Sequence, residues 1–154
     1  MDRYKQDFYG WTQDQVTLLR QQDFDHLDID HLIEEIESMG RAERRQLGHR
    51  LEVLLMRLLK WQFQPELRGR SWQLTIIEQR RRITKLLRDN PSLRSDLPAL
   101  LVDAYEDALF NTMRETGLSI ATFPESCPYT QVQVLDHNWL PDGESGRGND
   151  NDSV

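Results

Sequence analysis

The sequence predicts an all-α protein, a bundle of four main helices around one long helix, and three features carry that expectation. Apolar residues recur at helical spacing along most of the chain. One apolar stripe holds its phase from about residue 28 to residue 63. Helix breakers (Pro65, Asn90-Pro91, Gly117) fall between the periodic segments rather than inside them. A chain of 154 residues with 38% hydrophobic content suits one compact domain, placed at residues 1–140.

Phe8, Trp11, Leu18 and Leu19 mark a first short helix, and the Asp23-Phe24-Asp25-His26 stretch reads as a connector. In the long helix Ile29, Ile33, Ile36, Gly40, Leu47, Leu51, Leu54, Leu58 and Trp61 fall within about 80° of arc. A break at Gly40 would lose that phase, so one helix over 28–63, with Gly40 as the place for a kink, is favoured over two helices. Pro65 closes it. A third helix runs from an N-cap at Ser71 to about Arg88. Trp72, Ile76, Gln79, Ile83, Leu86 and Leu87 line its inner face, with Trp72 expected to be buried close to Trp61. Leu74 and Ile77 point the opposite way, which predicts cover on a second side. The fourth helix spans about 96–115, with Pro98 in its first turn and Gly117 past its end. An extended segment from Phe123 to Tyr129, anchored by aromatics, leads into a short helix capped at Thr130. Residues 141–154 have the composition of a disordered tail.

The net charge of −7 is unevenly spread. Residues 1–40 hold 3 basic against 10 acidic side chains, residues 41–94 hold 14 against 5, and residues 95–154 hold 2 against 11. A basic middle can mark a nucleic-acid surface, but near cancellation by the acidic flanks predicts internal pairing, for example of Arg81, Lys85 and Arg88 with Asp103, Glu106 and Asp107. No apolar run reaches the roughly 20 residues of a membrane span, and the N-terminus lacks the apolar stretch of a secretory signal. A single cysteine, Cys127, excludes an internal disulfide and fits a reducing cytoplasm.

Four motifs stand out: Tyr4-x-x-Asp7-Phe8-Tyr9-x-Trp11-Thr12, the run from Leu32 to Arg41 (LIEEIESMGR), Leu58-Leu59-Lys60-Trp61-Gln62, and Phe123-Pro124-Glu125-x-Cys127-Pro128-Tyr129-Thr130. Together they resemble the domain of unknown function family twenty-nine, over about residues 4–140. The resemblance implies an all-helical protein of bacteria, mainly cyanobacteria. It implies no activity and no functional residue.

Among candidate sites, His31-x-x-Glu34, with Glu35 alongside, has the helical spacing of a carboxylate-rich metal site. The order is the reverse of the Glu-x-x-His of di-iron bundles, and no second copy exists. The alternative is that the carboxylates serve the helix N-terminus while His31 pairs with Glu35. Cys127 would need His137 or His49 beside it to act as a nucleophile. No Gly-rich phosphate loop, nucleophile elbow or His-Glu-x-x-His motif occurs. The remaining features are surfaces. Arg81, Lys85 and Arg88 form a basic stripe, while Leu74 and Ile77, with Val53 and Met56, offer apolar faces that a homodimer would cover. The expectation is therefore a cytoplasmic interaction or adaptor protein without cofactor, and no motif supports an enzyme. A nucleic-acid-binding protein using residues 41–94 is the alternative, with a metal-dependent helical-bundle enzyme third.

Overall fold

The computed structural model describes residues 2–141. They form six α-helices and four short 3₁₀ turns, with no strand among the described residues. The helices are α1 (Arg3–Gln6), α2 (Phe8–Arg20), α3 (Ile29–Phe63), α4 (Arg70–Asp89), α5 (Leu97–Thr116) and α6 (Gln131–Leu135). The class is all-α, as the periodicity predicts. The long helix runs unbroken through Gly40, where an added Cβ would meet nothing within 4 Å. Gly40 is therefore a helical residue and not a cap.

The chain divides into two compact units, one ending at Ala42 and the other beginning at Glu43. The boundary falls inside α3. In the first unit, the Asp7 side chain caps α2 by accepting from the Gly10 amide at 2.9 Å. A Cβ at Gly10 would lie 2.3 Å from the Asp7 carboxylate and 2.4 Å from the Arg3 guanidinium, so glycine is what lets the cap and the Arg3–Asp7 pair close over this turn. Trp11 is the buried centre of the unit, and its indole N–H donates to Asp28 at 2.9 Å. The Gln15 side chain accepts from the Asp28 amide and so helps fix the start of α3. Tyr4 stacks on His31 at 3.9 Å between ring centroids and donates its hydroxyl to Glu35.

In the second unit, Leu47, Leu51, Leu54, Leu55, Leu58 and Leu59 of α3 are fully buried against Ile76, Ile83 and Leu87 of α4 and Leu97, Ala104 and Ala108 of α5. The C-terminal segment is locked onto this core by Arg80. That side chain is buried, and its guanidinium donates to the backbone carbonyls of Val134 (2.9 Å), Trp139 (2.6 Å) and Gln133 (3.2 Å). Arg80 adjoins Arg81 of the basic stripe in sequence, yet lies on the buried face of α4. A guanidinium can enter the interior only where its donors meet acceptors, and α6 and the residues after it supply three. Phe123 packs edge-on against Phe63, the Tyr129 hydroxyl donates to Gln62 at 2.7 Å, and Thr130 caps α6 in a reciprocal box with Gln133. The anchored segment and capped helix thus stand as expected.

Four expectations fail. The α3 stripe is not buried along its length: Ile29 and Ile33 are half exposed and Ile36 is 65% exposed, although they share a face with the fully buried Leu54. The N-cap of α4 is Gly69, not Ser71, and Ser71 is exposed inside the first turn. Trp61 and Trp72 are only partly buried, because each lies under an arginine, Arg68 at 5.2 Å and Arg57 at 5.8 Å, which replaces apolar cover with cation–π contact. Leu74 and Ile77 carry no second layer and are 51% and 42% exposed. The tail expected over 141–154 lies outside the described residues except for Pro141, which is buried.

Two substitutions on one stripe of α3 should separate its two halves. Leu54→Ala leaves a cavity in a fully buried site and should cost about 2–5 kcal/mol, whereas Ile33→Ser should cost less than about 0.5 kcal/mol. Chemical denaturation of both variants measures this, and equal losses would contradict the division of the helix.

Candidate interaction surfaces

An apolar groove runs along the first unit between α2 and the start of α3. Phe8, Trp11, Val16 and Leu19 line one side, Leu32, Ile36 and Met39 the other, and Thr12, Gln15 and Glu35 complete a hollow of about 260 Å³. Trp11 is buried at its floor. The side chains at the rim are open, with Phe8, Val16 and Leu19 exposed and Ile36 and Met39 65% and 68% exposed. This follows from spacing, since positions 8, 12, 15, 16 and 19 share one face of α2 and positions 32, 36 and 39 one face of α3. Glu35 alone brings a carboxylate into the lining. Its bond from Tyr4 pushes the phenol pKa up to about 12, so the hydroxyl remains a donor.

The proposed metal triplet does not assemble. His31 Nδ1 faces Asp28, not Glu35, at 2.6 Å, Glu35 accepts from Tyr4, and Glu34 is exposed. Among the described residues no group of three histidine, cysteine or acidic side chains is arranged to hold an ion. The sequence missed Asp28 because it sits before the helix and reads as a cap. It accepts from both Trp11 and His31, and it tethers α2 to α3.

The second surface lies on α4. Leu74, Ile77, Arg81, Lys85 and Arg88 fall within about 80° of arc, opposite the buried Ile76, Arg80, Ile83 and Leu87. The cationic end opens on a cleft of about 480 Å³ that Arg82, Thr84 and His137 also line. His137 is held there by Thr84 at 3.0 Å. The expected internal pairing is absent: Arg81, Lys85 and Arg88 make no ion pair among the described residues, and Asp103, Glu106 and Asp107 are exposed without partners there. Arg82 does pair, with Glu78 at 3.1 Å, and Arg44 of α3 meets Asp96 at 3.5 Å. Opposite charges along a chain do not by themselves create contact, and Asp103, Glu106 and Asp107 stay exposed while Ala104 and Ala108 of the same helix face the core.

Cys127 has no histidine partner among its contacts. Its thiol is partly buried and donates to the Tyr129 carbonyl, and desolvation pushes its pKa up, away from thiolate chemistry. Val53 and Met56 are partly covered, Met56 by the core itself.

The described residues thus define an all-helical protein with two open surfaces, one apolar and one mixed apolar and cationic. By its match to the family model described as Domain of unknown function DUF29, over residues 3–140, the chain belongs to that family. Comparison with curated proteins and with solved structures gives no match. No described helix is long and apolar enough to cross a membrane.

The Asp28–His31 pair gives the groove a pH dependence. Bonding to Asp28 raises the His31 pKa above its ordinary 6.5, and bonding to His31 lowers the Asp28 pKa below 3.8. The histidine contribution is complete below 6.5 and disappears as pH rises through the raised value; the aspartate contribution is present above 3.8 and disappears as pH falls through the depressed value. Thermal melts of the parent and of His31→Gln should therefore differ most between these limits and converge as pH rises toward about 9. A difference independent of pH would contradict the ion pair.

Proposed function

We propose that this is a cytoplasmic interaction protein, acting without a cofactor, whose N-terminal unit docks a basic amphipathic helix in its apolar groove. The open groove is the observation that carries this reading. Isolated exposed apolar side chains are ordinary, but here two helices contribute them contiguously around one hollow, the pattern of a helix-binding groove. Met39 adds an adaptable contact. Charge selects the kind of helix. Residues 1–42 hold 10 acidic side chains against 4 basic ones, a field that draws in a cationic partner and disfavours an acidic one. The lone thiol suits a reducing cytoplasm, and the family resemblance suggests bacterial, mainly cyanobacterial, cells.

A second reading rests on the unpaired cations of α4. Arg81, Lys85 and Arg88 rise along the helix in steps of about 6 and 4.5 Å and could track a nucleic-acid backbone. The chain's net charge of −7 and the apolar Leu74 and Ile77 on the same stripe favour a protein surface over it.

Fluorescence anisotropy with a labelled model peptide, leucine on one helical face and lysine elsewhere, tests the main reading. The parent should bind saturably, Ile36→Lys with Met39→Lys should lose binding at least tenfold, and a peptide with glutamate in place of lysine should not bind. Equal binding by the groove variant would overturn the proposal. In the same assay on duplex DNA, a slope of log affinity against log salt that flattens by about three units when Arg81, Lys85 and Arg88 become Gln would promote the nucleic-acid reading.

A further inference from the structure

We infer that the helix taken up by the groove is α4 of a second copy of this chain, so that the protein self-associates head to tail, groove to α4. The inference rests on the groove reading above and names its partner. It begins from two surfaces that each lack something the other holds. The groove is apolar in an acidic unit. The α4 stripe starts with Leu74 and Ile77 and continues with Arg81, Lys85 and Arg88, and α4 as a whole carries 6 basic side chains against 2 acidic ones. A basic helix with an apolar start on its outer face is what the groove selects.

Lengths also agree. The groove-lining positions of α2 run from Phe8 to Leu19, and the α4 stripe from Leu74 to Lys85 spans the same 11 steps, about 16 Å in each case. Docked there with Leu74 and Ile77 against Met39 and Ile36, Arg81 would come within side-chain reach of Glu35, the carboxylate in the lining. The two symmetric pairings oppose like charge. Groove on groove sets two units with 10 acidic against 4 basic side chains face to face, and α4 on α4 sets two cationic stripes together. Only the mixed contact removes both apolar faces from water and brings opposite charges together.

Such a contact is heterologous. Each copy carries both halves, so it closes into a ring of two or more copies or extends as an open chain. Two half-defective variants test it. The groove variant, Ile36→Lys with Met39→Lys, keeps α4, and the helix variant, Ile77→Gln with Arg81→Gln and Lys85→Gln, keeps the groove. All five positions are exposed, so circular dichroism should show both variants folded. In sedimentation velocity the parent should run as a dimer or larger, each variant alone as a monomer, and their equimolar mixture as a one-to-one heterodimer, because one intact contact remains and neither end can extend. A parent monomeric at high concentration, or a mixture that stays monomeric, overturns the inference. So does an assembly that survives either variant. If the parent is monomeric yet binds the lysine peptide in its groove, the docking reading stands and only the choice of a second copy fails. If neither occurs, both fail.

Discussion

A helix of 35 residues is about 52 Å long, and the 20-residue helices that pack against it in the second unit, α4 and α5, are each about 30 Å. That difference in length governs the molecule. The apolar stripe of α3 continues in phase from Ile29 to Trp61, yet only its C-terminal part has helices long enough to cover it. From Leu47 to Leu58 the stripe is fully buried, and the leucines at 51, 54 and 58 define the core. In the first unit the same stripe meets the 4-residue α1 and the 13-residue α2, and Ile33, Ile36 and Met39 stay in water. Loss of hydrophobic stabilisation on that length is tolerated because the core and the Asp28 network hold each unit by separate means.

The two units use different physics to stay closed. The second has a leucine core and a buried guanidinium, and Arg80 ties α6 and the chain after it to α4 through three carbonyls. The first has one buried aromatic, Trp11, and relies on hydrogen bonds converging on Asp28 and Glu35 from Trp11, His31 and Tyr4. A unit held by polar contacts around a small core can leave its apolar groove open without collapsing. The open groove of the first unit and the unpartnered α4 stripe of the second are the physical basis for reading the protein as one that works through docking.

Much of this was legible in the sequence. Phase alone joined 29–40 to 47–61 across Gly40, since a break there would have rotated Leu47 away from Ile36. The capping chemistry of Thr130 and the stop at Gly117 were readable because each depends on neighbouring residues only. What could not be read was cover. Periodicity places Ile36 and Leu54 on one face but does not say which of them has a neighbour. For the same reason the sequence points Leu74 and Ile77 toward a second layer that is absent, and nothing in the spacing around Arg80 shows the carbonyls it binds, 53 to 59 residues away. The charge arithmetic that suggested internal pairing of Arg81, Lys85 and Arg88 counted side chains without their directions. The His31-Glu34-Glu35 triplet had correct spacing, but the bonds that orient it come from Tyr4 and Asp28, one of them 31 residues away from its partner.

The most direct measurement of the central claim, that one length of α3 is left uncovered for docking, is amide hydrogen exchange across α3 and α4 at several protein concentrations. In dilute solution the amides over 47–60 should exchange only on global unfolding and those over 31–40 much faster, although both lie in one continuous helix. As concentration rises, protection should grow together over 8–19, 31–40 and 74–85 and nowhere else. Uniform protection along α3 that does not change with concentration would contradict it.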